Sequence, residues 1–244
     1  MNTRIATLFS TLLVVMLVTG CGFQIVTGSG TVVTEERSVG DFTRVDFTGF
    51  GELTLVQGDH EALTVETDDN LLPYIKTTVS KGALTIGFAR RIWLPLVRPT
   101  QSIHYRLTAK TLTQLDFSGA GTVTAATLHA DNLTVVESGA AEINLTDLTA
   151  NALTIKMSGS GSVGLAGKVT TQTVDLSGLG SYAAGDLASQ SAQINLSGVG
   201  EATLWVHEQL DAEMSGAGTI RYYGSPQVNA SSSGIGAVQR LADK

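Results

Sequence analysis

Side chains suited to acid–base or nucleophilic chemistry are few in this sequence and lie far apart. The four histidines show no His-X-X-X-His pair and no carboxylate at the spacing of a metal ligand; they are His60, His104, His129 and His207. The one cysteine, Cys21, excludes a disulfide framework and a cysteine-rich metal site. We therefore expect no catalytic residue, no metal site and no cofactor.

Glycine-rich motifs are a second feature with chemical potential, because backbone N–H groups in such loops can cradle phosphates. A Ser-Gly-X-Gly motif begins at Ser118, Ser158, Ser177, Ser197, Ser215 and Ser233. A degenerate copy, Ser138-Gly139-Ala140-Ala141, fills the gap after the first. A phosphate loop would lead into a helix, and no helical period follows any copy. A calcium-binding β-roll would place an aspartate after the glycines, and none stands there. The motif therefore predicts architecture rather than a ligand site.

The motif recurs every 18 to 20 residues, which is typical of a repeat protein. Apolar and polar residues alternate around each copy, as in Leu115 and Phe117 before Ser118 and Val123 and Ala125 after it. This alternation indicates half-buried β-strands. So short a repeat cannot bury its apolar face alone, so successive copies must stack on a shared core. We predict an all-β fold, a parallel β-helix with coils of about 18–20 residues. The general preference for right-handed connections favours right-handed coils, although the spacing leaves the hand open.

The chain divides into four segments on this interpretation. Residues 1–20 are a targeting segment and 21–30 a tether. Residues 31–116 are rich in strand-forming residues but lack the serine motif after Thr48, so they form a β-rich N-terminal part. Residues 117–244 form the repeat β-helix.

Stacked coils also align outward carboxylates in columns, and parallel β-helices include polysaccharide lyases and hydrolases. Asp175 and Glu213 share the column two positions before the serine, but Asn195 lies between them. Glu142 and Glu201 share another column, three coils or about 14 Å apart. Glycoside hydrolysis uses carboxyl groups about 5–9.5 Å apart. Neither column of the repeats supplies an adjacent pair, so a glycan-cleaving enzyme remains an alternative only.

Two surfaces are better candidates for binding. The column two positions after the serine is small or apolar and faces outward; its larger members are Leu179, Val199 and Ile235. An exposed apolar ridge can mark a contact with a partner or a second copy. Alternatively, these side chains only cover the corner of the coil.

The second surface is the segment 90–99, in which Arg90, Arg91 and Trp93 stand among prolines and interrupt the strand pattern. It could contact lipid headgroups, anionic glycans or a protein. The alternative is a strand followed by a loop with a partly buried tryptophan.

The N-terminus indicates export. Arg4 precedes an apolar stretch that is shorter than the roughly 20 residues of a membrane-spanning helix. Cys21 follows directly, and the combination resembles a bacterial lipoprotein signal peptide with its lipobox. The resemblance implies acylation of Cys21, and Gly22 in place of aspartate implies the outer membrane of a Gram-negative bacterium.

The composition argues against one class of partner and against a disordered chain. The 244 residues carry a net charge of −7, which argues against nucleic acid as a partner. Hydrophobic residues make up 43% and charged residues 15%, which argues against wholesale disorder.

The N-terminal part carries a family resemblance. Its motifs are Gly28-Ser29-Gly30-Thr31-Val32-Val33, Arg37, Phe42, Val45-Asp46-Phe47-Thr48-Gly49-Phe50-Gly51, Gln57-Gly58, Asp69-Asn70-Leu71-Leu72 and Leu84-Thr85-Ile86. Together with the repeats, they resemble the bacterial family named "putative auto-transporter adhesin, head GIN domain" over about residues 28–240. The resemblance implies a secreted or lipid-anchored β-helical protein of the cell envelope and brings no catalytic motif.

The function we expect is therefore that of a lipid-anchored cell-envelope protein that binds or adheres without catalysis. Its partners would be the membrane, through the lipid, and a surface glycan or protein. Two alternatives stay open: a polysaccharide lyase or glycoside hydrolase acting on envelope or extracellular glycan, and an oligomeric structural scaffold of the envelope.

Overall fold

The computed structural model describes residues 25–89 and 96–244. In these residues nearly all regular structure is β-strand, with a single 3-10 turn at Leu72–Tyr74. The first nine strands are β1 (Ile25–Thr27), β2 (Val32–Arg37), β3 (Arg44–Phe47), β4 (Phe50–Gln57), β5 (Ala62–Asp68), β6 (Ile75–Ser80), β7 (Ala83–Phe88), β8 (Leu96–Arg98) and β9 (His104–Ala109). The remaining ten are β10 (Gln114–Phe117), β11 (Ala120–Ala125), β12 (Leu128–Glu137), β13 (Ala140–Met157), β14 (Ser160–Leu176), β15 (Leu179–Leu196), β16 (Val199–Met214), β17 (Ala217–Tyr223), β18 (Gln227–Ser232) and β19 (Ile235–Arg240). Over the described ranges, no helix has the length and apolar character needed to cross a membrane.

The repeats stack as parallel coils, which confirms the predicted all-β, parallel β-helix fold. The N–H of Ser138 donates to the carbonyl of Phe117 at 3.0 Å, and the N–H of Ser158 to that of Glu137 at 2.8 Å. The same bond is repeated up to Ser233. Each serine therefore lies above the serine of the preceding coil, one strand spacing of about 4.8 Å away. The hand of the coils stays a prediction.

The core is a set of apolar columns that run the length of the stack. Ile155 pairs with Val174, and Val174 pairs with Ile194, in adjacent coils. All three side chains are at most 1% exposed. Burial of such a side chain stabilises the fold by about 1.5–3 kcal/mol. Because the columns are continuous, no coil has a complete core without its neighbours.

The parallel stack extends below the first serine motif, into the N-terminal part. The N–H of Ser118 donates to the carbonyl of Phe47 at 3.0 Å, and Gly121 pairs with Gly51. β3 and β4 thus form the coil beneath β10 and β11. β7 and β9 form the next coil outward, although they follow β3 and β4 in the chain. Antiparallel strands β6, β5 and β2 then cover this end. The spatial order of the first coils therefore differs from their order in the sequence.

The glycines of the motif lie where neighbouring coils approach most closely. A Cβ atom on Gly121 would lie 1.9 Å from the carbonyl oxygen of Gly51, and one on Gly200 would lie 1.8 Å from that of Gly180. Gly121 also has a φ of 137°, which favours glycine. The degenerate copy carries Ala141 at this position, and that side chain is buried. The close backbone approach therefore favours glycine at this position, and the coil of Ala141 accommodates one methyl group there.

Substitution of a corner glycine should weaken the whole stack. We expect Gly200→Ala to lower the free energy of unfolding by about 1–3 kcal/mol, because the added methyl group overpacks against a backbone carbonyl. Gly40→Ala is the control, since a Cβ there would meet nothing within 4 Å, and it should change stability by less than about 0.5 kcal/mol. Denaturant titration followed by circular dichroism measures both. Equal effects of the two substitutions would contradict the close-approach account.

One core column contains a carboxylate, which the sequence reasoning missed. Glu137 pairs with Phe117 on one side and Met157 on the other, and it is fully buried. Neither carboxylate oxygen has a hydrogen-bonding partner of good geometry. Burial raises the pKa of Glu137, and the backbone amides of Gly159 and Gly139 offset only part of this rise. The charged form of Glu137 therefore destabilises the fold.

Replacing this carboxylate with the residue type of the next coil should stabilise the protein. We expect Glu137→Met to raise the free energy of unfolding at pH 7 by about 1–3 kcal/mol, since a buried unpaired polar group is removed. The folded-state pKa lies above the unfolded one, so wild-type stability falls as pH rises through the folded-state value. The gain should therefore shrink toward pH 4. Denaturant titrations at pH 4, 5.5 and 7, with the exposed Glu142→Gln as control, test this. A gain independent of pH would refute the linkage to ionisation.

Candidate functional site

The outward column two positions after the serine forms a continuous ridge of apolar and small side chains in the structure. Leu179 pairs with Val199, Val199 with Ala217, and Ala217 with Ile235 in successive coils. Further members toward the N-terminus are Phe50, Ala120, Ala140 and Ser160. We call these eight residues the apolar ridge.

The aliphatic side chains of the apolar ridge that are larger than alanine are open to solvent. Leu179 is 60% exposed, Val199 55% and Ile235 82%. Hydrogen bonds between coils fix their backbone: the N–H of Val199, for example, donates to the carbonyl of Gly178 at 3.0 Å. Beside Leu179 and Val199 lies a small recess, which is also lined by motif glycines and by the buried side chains Met157, Leu176 and Leu196. The structure thus presents aliphatic side chains on a rigid support with a recess next to them.

Phe50 begins the apolar ridge at its N-terminal end and was not among the residues predicted for it. Its ring stacks on that of Phe88, with centroids 4.8 Å apart and planes at 15°. The signal was present in Thr48-Gly49-Phe50-Gly51, which repeats the serine motif with threonine. It could not be assigned to this column because the partner coil lies 70 residues further along the chain.

The second predicted surface falls largely outside the described residues. Arg90, Arg91 and Trp93 lie in the range 90–95, and the predicted lipidation site Cys21 also precedes the first described residue. Downstream of this range, β8 pairs in parallel with β1. The role of the segment in binding stays a prediction.

Just after the segment 90–99, the buried carboxylate of Asp68 holds the chain in place. Asp68 is 1% exposed and accepts hydrogen bonds from the N–H and the hydroxyl of Thr100 at 2.9 and 2.7 Å. The N–H of Gly30 donates to it as well, at 2.8 Å. The hydrogen bonds from Thr100 hold the pKa of Asp68 below its ordinary value. Asp68 is therefore a structural anchor that ties two loops to the stack.

The histidines lie on the surface and do not converge. The Nδ1 atom of His104 lies 3.3 Å from Glu52, and both side chains are about half exposed. His60 contacts its exposed neighbour Asp59. The ring of His207 packs near that of Trp205, with centroids 5.3 Å apart. Within the described ranges, no three side chains are grouped so that they could hold a metal ion.

The register of the coils places the carboxylates of the repeats as expected. Asn195 pairs with Asp175 on one side and with Glu213 on the other, so these two acids are not adjacent. The N-terminal coil adds a pair that the sequence did not predict: Asp46 pairs with Asp116.

The two aspartates interact directly. Partial burial and the charge of the neighbouring Asp116 raise the pKa of Asp46. The side-chain amide of Gln114 donates to both oxygens of Asp116 at 3.0 and 2.9 Å. The pair therefore forms an acidic patch in which each carboxyl group affects the ionisation of the other.

Solved structures resemble this fold over most of the chain. A putative adhesin from Bacteroides fragilis has 26% sequence identity and a TM-score of 0.84, and the match covers 88% of this chain and all of that one. A putative lipid binding protein from Parabacteroides distasonis has 23% identity and a TM-score of 0.72, with coverage of 89% and 100%. A putative adhesin from Parabacteroides merdae has 22% identity and a TM-score of 0.67, with coverage of 89% and 99%. The last two likenesses are evidence of the fold alone.

No curated protein matches this chain, but a family model does. Residues 41–226 match the family described as "Putative auto-transporter adhesin, head GIN domain". The match spans most of the chain and includes both the N-terminal coils and the serine repeats, so the resemblance carried by the sequence motifs is confirmed. The chain belongs to the putative auto-transporter adhesin, head GIN domain family.

Proposed function

We propose that this protein is a non-catalytic binding module of the cell envelope that holds a surface protein against its apolar ridge. The observation that carries the proposal is the exposure of Leu179, Val199 and Ile235 in one straight column on a rigid stack. Aligned exposed apolar side chains are a feature of interaction sites. The family description, and the naming of the B. fragilis protein as a putative adhesin, support a binding role at the cell surface.

A protein partner fits the apolar ridge better than a glycan does. The central positions are aliphatic or small, at Ser160, Leu179, Val199 and Ala217, and none is aromatic. Protein interfaces bury such side chains in a dehydrated centre with a polar rim. The exposed serines of the motif supply that rim, one position from the glycine corner in every coil. A flat lipid surface is the competing occupant, and it enters the test because the P. distasonis protein is described as a putative lipid binding protein.

We also propose that the module is held at the membrane by acyl chains on Cys21. The lone cysteine follows an apolar segment at the lipobox position. Two or more acyl chains anchor a protein stably, at about 0.8 kcal/mol per buried CH₂ group. We propose further that the membrane is the outer membrane. Within the same proposal, lipid headgroups or a partner are contacted by Arg90, Arg91 and Trp93. The stack would then project the apolar ridge away from the lipid.

Binding should depend on the two central aliphatic side chains of the apolar ridge. The full chain is tested against immobilised fibronectin, laminin, collagen and mucin, a glycan array, and phosphatidylcholine–phosphatidylglycerol vesicles. We expect binding to a protein surface, and we expect Leu179→Ser combined with Val199→Ser to weaken it at least about tenfold, a loss of about 1.4 kcal/mol. Serine already occupies Ser160 in this column, so the fold should tolerate the change.

The control replaces exposed valines that lie elsewhere. Val33 and Val79 are 36% and 39% exposed on β2 and β6, at the covered end of the stack. Val33→Ser with Val79→Ser should leave binding unchanged. Equal binding by both double variants, or binding to glycans or vesicles alone, would contradict the proposal.

Acylation of Cys21 is tested separately. Cells that express the full chain and are fed a clickable palmitate analogue should label it, and Cys21→Ser should abolish the label and release the chain from the membrane fraction. The surface double variant Leu179→Ser with Val199→Ser should still be labelled. Membrane retention of the Cys21→Ser chain at the wild-type level would refute the lipid anchor.

A further inference from the structure

Antiparallel strands cover the N-terminal end of the stack. β6 covers β7 and β5 covers β9, both in antiparallel pairing. Leu71 and Ile75, the first residue of β6, are fully buried at this end. The outermost strand there, β2, carries Glu35, Glu36 and Arg37 near its end. Charged residues on an outer strand are a common protection against pairing with another chain.

The opposite end is open over the described residues. In the last coil, β18 pairs only with β16, and β19 pairs only with β17. All six residues of β18 are exposed. Val228 is 37% exposed, whereas Leu210, directly beneath it, is fully buried. The last coil therefore presents a row of backbone donors and acceptors together with the open end of the core.

The outward positions of this coil also lack the charges of the coil before it. Three charged residues are followed by neutral ones across a single coil step: Asp211 by Asn229, Glu213 by Ser231 and Arg221 by Gln239. The charged side chain that remains in β19, Arg240, is engaged within the chain. Its Nε donates to the carbonyl of Gly224 at 2.7 Å, and its Nη2 contacts Asp243 at 2.6 Å. Edge strands are commonly protected from pairing with another chain by charged side chains, and the outward positions of this coil have lost such charges.

We propose that the last coil, β18 and β19, is the docking site for a second copy of this chain, so that two stacks join at their C-terminal coils. A neutral edge is compatible with itself in a two-fold arrangement, where the same patch serves both copies. The chain carries a net charge of −7, so copies repel side by side, and an end-to-end contact keeps their acidic faces apart.

The N-terminal end disfavours a head-to-tail contact. The N-terminal end is covered by antiparallel strands, and its outer strand carries charged residues. Antiparallel pairing of β18 or β19 with its copy would instead continue the sheets by backbone hydrogen bonds, as in strand addition. It would also cover Val228 and the partly exposed Val238, which close the core at this end.

A matched pair of double variants tests the open edge. Asn229→Lys with Ser231→Lys puts two cations on the edge, each beside a carboxylate of β16, Asp211 or Glu213. The control, Gln193→Lys with Asn195→Lys, puts two cations beside the same carboxylates but on their inner side. Both pairs add the same charge to the fold, and only the first blocks strand pairing at the end.

The readout is the mass of the full chain by sedimentation equilibrium in density-matched detergent. Wild type and control should form dimers, and the edge variant should have a dissociation constant at least about 100-fold higher. The apolar ridge variant, Leu179→Ser with Val199→Ser, should still dimerise, which separates this contact from the proposed function. A wild-type chain that stays monomeric at about 100 µM, or an edge variant that dimerises like wild type, would overturn the proposal.

Orientation is tested by a spin label on Gln239→Cys in a Cys21→Ser chain. Joined C-terminal coils should bring the two labels within about 30 Å, whereas a head-to-tail contact would separate them by about the length of one stack, roughly 40 Å for coils 4.8 Å apart. Observation of the longer distance alone would overturn the two-fold arrangement.

Discussion

The structure depends on the close approach of successive coils at the glycine corner. There the backbone of one coil lies so near the next that a Cβ atom on Gly119 or Gly218 would come 1.8 Å from a carbonyl oxygen. This approach keeps the strands of successive coils at hydrogen-bonding distance and places apolar side chains directly above one another. The buried columns and the exposed apolar ridge are two consequences of the same register. A change in that register would move an inward column to the outside, because side chains alternate along a strand.

The serine motif made the repeat region predictable. Its spacing and the alternation around it identified the stacked strands, their inward residues and the outward column that contains Leu179, Val199 and Ile235. These inferences succeeded because each is local to one coil and is repeated in its neighbours. Glu137 was missed since it stands alone among apolar residues at its position, and the pattern was carried by the other members of the column.

The N-terminal coils were harder to predict, for a topological reason. Phe50 and Asp46 lie in the same columns as Ala120 and Asp116, but the chain between them forms β5 to β9 first. Strands that pair between distant segments leave no regular spacing in the sequence from which the pairing could be predicted. The antiparallel cover at that end depends on tertiary contacts for the same reason. The contrast between a covered end and an open one became visible only in the pairing of whole strands.

The most direct test of the account is the distance between spin labels on Ser138→Cys and Ser215→Cys in a Cys21→Ser chain. Both serines are exposed, and they stand four coils apart in the serine column. Stacked coils predict a narrow distance distribution centred near 20 Å, or about four strand spacings. A broad distribution, or one centred well beyond about 30 Å, would contradict the stacking on which the core, the apolar ridge and the open coil all rest.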